Sequence, residues 1–444
     1  MDLQIDDIVD AAEGLLSRRF GGTQQLSGIE ELDGSGQSTV LRARVANSPF
    51  LPHRSVIVKH TPVTGSSIDD AALLREVVAY QFTNSLAQEV RPGPVLLAYD
   101  IEQRIVVLTD LGDSLTLVDV LHGADAEERV AVFRSLGGAL GRLHAGTAGR
   151  DAAFDVLLRR LVKAHRHYAH SQALRDEALA YSIPLGLRIV AAAGLDVPEA
   201  FAQAAKDAEE ACRSGAECAF TPFDLSPDNI ISADRIHFLD FEWAGFRNVT
   251  FDVGSVISGF PQFVFAEPVA DAEVETFLTA WTREIQDVWP NLAERDYRYR
   301  AITVALVGWA LSSLATMAVG GLEPLAALVE DGADAHLVSG GGTDVSDALT
   351  AGIGLLRSGR KGEFTGDDRL VRQDLYESFE ALARYATATH ERIAEDTSRA
   401  KDSAGERTAG VAVPFSRRSG DRANGAELAA IARFAEEIAG RLAH

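Results

Sequence analysis

Two polar segments separated by a short apolar run narrow the choice of fold more than any other feature of this chain. Asp224-Leu225-Ser226-Pro227-Asp228-Asn229 comes first, and Leu239-Asp240-Phe241-Glu242 follows. Between them Ile236 and Phe238 read as a strand that can turn back and bring the two segments together. Asp224, Asn229 and Asp240 then form one set of oxygen-bearing groups. Such a set can hold a divalent cation against a polyphosphate while one carboxylate orients an attacking hydroxyl and accepts its proton. The plainer alternative is an ordinary β-hairpin with Asx-type turns at its ends.

The preceding residues supply further parts in a fixed order. Ile29 to Leu32 and Thr39-Val40 read as strands joined by the turn that contains Gly34, Ser35 and Gly36. Glycines there let backbone N–H groups approach phosphates, although a simple hairpin loop has the same look. Ser55-Val56-Ile57-Val58-Lys59 is a β-branched run ending in a cation suited to α- and β-phosphates. Glu76, inside the helical stretch Ala71 to Tyr80, can fix Lys59 through an ion pair. Arg104 to Leu108 is a buried strand that breaks at Thr109-Asp110-Leu111-Gly112, the expected place to accept adenine. Leu136 to Ala145, with Gly137, Gly138 and Gly141, is a helix suited to close packing.

In this order the segments resemble the aminoglycoside phosphotransferase/choline kinase branch of the protein-kinase-like fold, from about Leu26 to about Met317. The most specific stretch is Ile236 to Gly245 together with Phe251-Asp252-Val253-Gly254. The resemblance implies an α+β, bilobal protein-kinase-like fold: a small β-rich N-lobe, a mainly helical C-lobe and an extra helical C-terminal region. It implies ATP and Mg²⁺ as cofactors, with Asp224 as catalytic base, Asn229 and Asp240 as metal ligands and Asp252 as structural support. Gly34, Ser35, Gly36, Lys59, Glu76, Thr109 and Leu111 become the nucleotide-binding set, and His144 is structural.

Two departures stand out. Pro222-Phe223 occupies the place of the family's usual His-Gly, and position 242 is Glu where protein kinases have Gly. No Ala-Pro-Glu segment follows, which favours a small-molecule acceptor over a protein. The expected activity is therefore an ATP- and Mg-dependent O-phosphotransferase acting on a hydroxyl of a small cationic molecule. An aminoglycoside, an amino alcohol and an amino sugar all fit that description. The alternative is a pseudokinase, a nucleotide- or ligand-binding module with negligible transfer. Retention of Lys59, Asp224, Asn229 and Asp240 favours catalysis; Pro222-Phe223 keeps the alternative open.

A formal charge of −23 argues against nucleic-acid and anionic-membrane partners and suits a cationic acceptor, although acidity also simply keeps a protein soluble. With only Cys212 and Cys218, neither a disulfide scaffold nor a cysteine zinc site is expected, and a reducing cytoplasm is the natural compartment. The acidic N-terminus lacks the pattern of a signal peptide, and the apolar stretch from Val304 reads as a buried helix of the larger lobe. His165, His167 and His170 read as a solvated helical face in preference to a metal site. No pattern bears on oligomeric state.

The expected divisions are an N-terminal helix (1–20), a nucleotide-binding N-lobe (21–112) and a catalytic, acceptor-binding C-lobe (113–330). A helical extension (331–396), a flexible linker (397–424) and a C-terminal amphipathic helix (425–444) complete the chain. Pro184 and Pro198 read as breaks in the helical segment from Phe154 to Ala211, which the family resemblance implies helps form the acceptor site. One long helix is expected from Asp368 to Glu395, and the loop Ser339 to Thr343 reads as flexible. The last helix would cap the larger lobe of its own chain or bind a second subunit, with the first favoured.

Overall fold

A computed structural model describes residues 3–32, 38–213, 215–261, 268–334, 345–359, 363–405 and 417–443, with the backbone alone at 332–334, 394–405 and 417–424. The chain is α+β, as expected: a small antiparallel sheet near its start, then mostly helices. It divides into two compact units. One comprises Met1–Asp176, Glu217–Val249 and Glu275–Ile285; the other comprises Glu177–Ala216, Thr250–Val274 and Gln286–His444.

In the first unit, β1 (Leu26–Leu32), β2 (Thr39–Val45), β3 (Ser55–His60), β4 (Leu96–Asp100) and β5 (Ile105–Thr109) form a sheet ordered β1-β2-β3-β5-β4. All neighbours are antiparallel. Strand periodicity decides which residues face which way. Val56 and Val58 point to a core with Leu41, Ala43, Ile105 and Val107, closed by Ile8, Ala12 and Leu16 of the Ile5–Phe20 helix. Lys59 is out of phase with that core, opposite Val40 and Val106, and emerges on the other face. The Ala72–Asn84 helix carries Glu76 with 2% of its surface exposed.

Three further strand pairings frame the polar loops. β6 (Leu115–Thr116), β8 (Ile230–Ser232) and β9 (Ile236–Phe238) make one sheet, while β7 (Cys218–Thr221) pairs with β10 (Gly245–Asn248). The anticipated close packing of the Ala126–Thr147 helix is present. A Cβ at Gly137 would strike the Phe277 carbonyl, and one at Gly141 would meet Glu284 and the Trp281 carbonyl.

The second unit is built on the Arg295–Val319 helix, which is long and apolar enough to cross a membrane (mean hydropathy 1.8) and 67% buried over that window. Its Gly308 lies against Phe251 and Ala208, and its Leu311 carbonyl meets Gly186. These contacts make it the core helix expected from Val304 onward. The Ala169–Ala192 helix runs unbroken through Pro184, contrary to the expected break; packing at Gly186 and the Ser182–Ser312 hydrogen bond of 2.7 Å offset the missing donor. At Pro198 a break does occur, and Glu199–Arg213 begins there.

The expected helix at 368–395 is longer, spanning Gly366–Gly405, and the last helix starts at Arg417. The expected linker is therefore helical at both ends, while 406–416 and the Ser339-to-Thr343 loop lie outside the described residues. The last helix docks in its own chain, with Phe434 edge-on to Phe201 at 4.8 Å.

Candidate active site

The two polar segments do form a hairpin, and the hairpin is what assembles them. Ile230 pairs with Phe238 across β8 and β9, and Leu239 N donates to the Asn229 carbonyl at 2.8 Å. Asp240, next in sequence, adopts a left-handed backbone (φ 53°, ψ 69°), a conformation aspartate tolerates better than most residues. Its Oδ1 accepts from Lys59 Nζ at 2.8 Å, and the same ammonium donates to Glu76 Oε1 at 3.0 Å. Lys59 of β3, Glu76 of the helix and Asp240 after β9 are thus joined at one cation.

Asp224 is positioned by local turn chemistry. Its Oδ1 accepts from Ser226 N at 3.1 Å and Ser226 Oγ at 2.6 Å. Its Oδ2 faces Asn229 Nδ2 at 3.4 Å, so the donor end of that amide points to Asp224 and its oxygen is directed elsewhere. The preceding residue, Phe223, has φ 68°, with Asp224 N donating to Pro222 O at 2.9 Å. A bulky residue in this region carries about 1–2 kcal/mol of strain. Arg247 supports it: the guanidinium lies 4.7 Å above the Phe223 ring, donates to Trp243 O at 2.7 Å and reaches Asp176 at 3.1 Å.

Electrostatics at this centre are unbalanced. Burial pulls the Lys59 ammonium down, but Asp240 and Glu76 more than compensate and hold it well above the ordinary lysine value. Burial raises the Glu76 carboxyl to about 7 against the pull of Lys59, with Asp240 pushing the same way. Glu242 is also raised to about 7, by burial and then by Asp240. Asp224 is raised by burial, partly offset by its Ser226 hydrogen bonds. Asp228 Oδ1 is buried without a hydrogen-bond partner among the described residues. One ammonium therefore faces several carboxylates that repel each other, although among the described residues no three or more His, Cys, Asp or Glu side chains are grouped as a metal site.

The remaining expected residues are placed as follows. Thr109 ends β5, where its Oγ1 accepts from Val95 N at 2.9 Å. Leu111 is half-buried in a turn pinned by Arg42, which reaches Asp110 at 3.1 Å and the Gly112 carbonyl at 2.9 Å. Gly34, Ser35 and Gly36 lie outside the described residues. Asp252 is fully buried in the Thr250–Ile257 helix of the second unit. His144 is buried and accepts from Trp281 Nε1 at 3.1 Å through Nδ1, a structural role. His165, His167 and His170 do not share one helical face. They fall at a helix end, in the Arg166–Tyr168 turn and at the next helix start, and His165 pairs with Glu102 at 3.0 Å.

Several contributors escaped the sequence reading. Arg175 stacks on Trp243 at 3.9 Å and donates to the carbonyls of Glu242 and Ile68, each at 3.0 Å. Arg75 bonds Gln172 at 3.0 Å and Asp176 at 2.7 Å. These arginines tie the Glu76 helix to the segment following Asp240. Tyr80, one turn beyond Glu76, packs edge-on to Phe241 at 4.9 Å. Two isolated arginines and a Trp after Glu242 are the only available signal, and none of them identifies its partner.

No family model matches the chain, and no curated protein matches it significantly. Similar solved structures include the streptomycin–ATP complex of APH(2″)-IIa, at 14% identity and TM-score 0.40, covering 70% of this chain and 90% of that one. The ADP-bound aminoglycoside phosphotransferase APH(2″)-Ib gives 14% identity and TM-score 0.40, with 73% and 97% covered. Choline kinase LicA from Streptococcus pneumoniae gives 14% and 0.36, with 74% and 94% covered. Both groups that the sequence resembles are represented among these structures. At such identities and TM-scores nothing of their activity, substrates or cofactors carries over to this chain.

Proposed function

We propose that the protein is an ATP- and Mg²⁺-dependent O-phosphotransferase that phosphorylates a hydroxyl of a small cationic molecule. The observation carrying this reading is the Lys59 ammonium, 13% exposed, held at once by Glu76 and Asp240 beside the loop of Asp224 and Asn229. Lys59, kept protonated by its two carboxylates, grips phosphate oxygens while Glu76 fixes its reach. Asn229 and Asp240 would hold Mg²⁺, which when bound neutralises charge on the phosphates. Ser226 occupies Asp224 Oδ1, while Oδ2, which accepts only the long 3.4 Å contact from Asn229 Nδ2, keeps a lone pair to orient the acceptor hydroxyl. The raised Asp224 carboxyl then takes up the hydroxyl proton as the hydroxyl oxygen bonds to the γ-phosphorus and the bond from that phosphorus to the β,γ-bridging oxygen breaks, releasing ADP. Most of the acceleration comes from positioning, with proton removal a smaller part. The net charge of −23 suits a cationic acceptor.

The test is ATP consumption with Mg²⁺ against amino alcohols, aminoglycosides and sugars, in the wild type and in Asp224→Ala. Turnover with the right acceptor should fall ~10²–10⁴-fold in the variant. Equal slow turnover in both proteins would remove Asp224 from the chemistry. ATP binding by both with turnover by neither would favour the nucleotide-binding module.

A further inference from the structure

Residues 156–174 hold Arg159, Arg160, Lys163 and Arg166, three histidines and no Asp or Glu, in a chain of net charge −23. Part of this basic stretch borders a cavity of about 930 Å³ in the first unit, at the edge of the sheet. None of Lys59, Glu76, Asp224, Asn229 and Asp240 lines it. Its apolar lining includes Leu15 from the N-terminal helix, Leu96 and Leu97 from β4, and Leu157 and Leu161 from the Asp151–Ala164 helix. Arg18, Arg19 and Arg160 line it, and none of their side chains has a hydrogen bond or ion pair among the described residues. Two acidic residues, Asp100 and Glu102, also line it. Asp100 accepts from Glu102 N at 2.9 Å and Gln103 N at 3.0 Å, and Glu102 bonds His165 at 3.0 Å.

Helix electrostatics account for Arg18 and Arg19, which close the last turn of their helix. They do not account for Arg160, brought in by a different helix to the same apolar hollow. Three free guanidinium groups and a leucine lining complement a molecule with one anionic end and one apolar end. We propose that this cavity binds a small anionic amphiphile, its phosphate or carboxylate head held by Arg18, Arg19 and Arg160 and its apolar body laid on the leucines. This site is independent of the phosphotransferase reading.

The head group has the same chemistry in a free metabolite and in a membrane lipid, and the experiment separates them. Full-length protein is titrated calorimetrically with decyl phosphate below its micellar concentration. Inorganic phosphate, decyltrimethylammonium and phosphatidylglycerol vesicles are run in parallel. Decyl phosphate should bind saturably at one site, and at least about tenfold more tightly than inorganic phosphate or the cationic amphiphile. Arg18→Glu with Arg160→Glu should weaken it at least about tenfold. Ala164→Trp, at an exposed position on the rim, adds bulk without changing charge and should weaken it similarly. It keeps the test decisive if the double charge reversal fails to fold. Equal binding of the cationic amphiphile or of inorganic phosphate overturns the proposal. So does wild-type affinity in Ala164→Trp, or binding to vesicles without binding to decyl phosphate.

Discussion

Phe223 shows how a single residue can be legible as an oddity while its remedy is not. Its identity stands out in the sequence because a glycine is expected before Asp224. The structure gives it the left-handed backbone that glycine adopts freely, and steadies the ring with Arg247. That arginine lies on a later strand with no local pattern linking the two, so sequence alone could not pair them. Asp224, Asn229 and Asp240 were legible because a short hairpin joins them. Glu242 was noted only for not being Gly, yet its carboxyl is raised to about 7 from an ordinary 4.5. The sign of its effect follows directly. A raised folded value means the fold prefers the neutral acid, so this contribution is fully present below pH 4.5 and is lost as pH rises through 7. The metal-free wild type should therefore lose stability over that window relative to Glu242→Gln, in which the group cannot ionise. Any Mg²⁺ affinity that requires the ionised group should rise by up to about tenfold per pH unit below 7. Thermal scans of both proteins from pH 5 to 8, with and without Mg²⁺, measure this. Parallel pH profiles for the two proteins would remove Glu242 from the linkage.

At the scale of elements, legibility followed the range of the forces involved. The strand ending in Lys59, the helix with Glu76 and the close-packed glycine helix were readable from periodicity, because local pattern sets all three. Pro184 misled because tertiary packing outweighs one missing hydrogen bond inside a long helix. The anchoring of the β8–β9 hairpin was invisible. Phe238 N donates to Pro92 O at 2.8 Å, and the Gly93 backbone lies so close that a Cβ would collide with the Phe238 carbonyl. Neither backbone can yield as a flexible side chain would. Gly93→Ala should cost about 1–3 kcal/mol of stability and displace the strand that leads to Asp240. Gly440→Ala, in an open helical position, should be neutral or stabilising by up to about 1 kcal/mol. Chemical denaturation of the two variants tests the contrast; a Gly93→Ala protein as stable as the wild type would show that the hairpin is not anchored there.

For the whole molecule, the acidity and the polar stretch 397–424 say least about what the last hundred residues do, because the answer depends on partners far away in sequence. The Gly366–Gly405 and Arg417–Leu442 helices belong to the second unit, and Arg372 joins them. It is 3% exposed and donates to the carbonyls of Arg441 at 2.7 Å, Leu442 at 3.2 Å and Arg357 at 3.1 Å, and also to that of Leu355. Its guanidinium stacks 3.9 Å from the Phe364 ring. Carbonyls at helix ends have no partner within their own helix, and one guanidinium here serves the ends of two. Arg372→Met keeps most of the aliphatic stem and removes every donor, so it should destabilise by about 3 kcal/mol or more. Removing 417–444 should do greater damage, because it strips Phe434 from Phe201 and takes away the carbonyls that Arg372 caps. If the final helix were only tethered to the molecule, both altered proteins would melt with the wild type. If it is part of the second unit's core, Arg372→Met should melt several degrees lower, and the truncated chain should lose its cooperative transition.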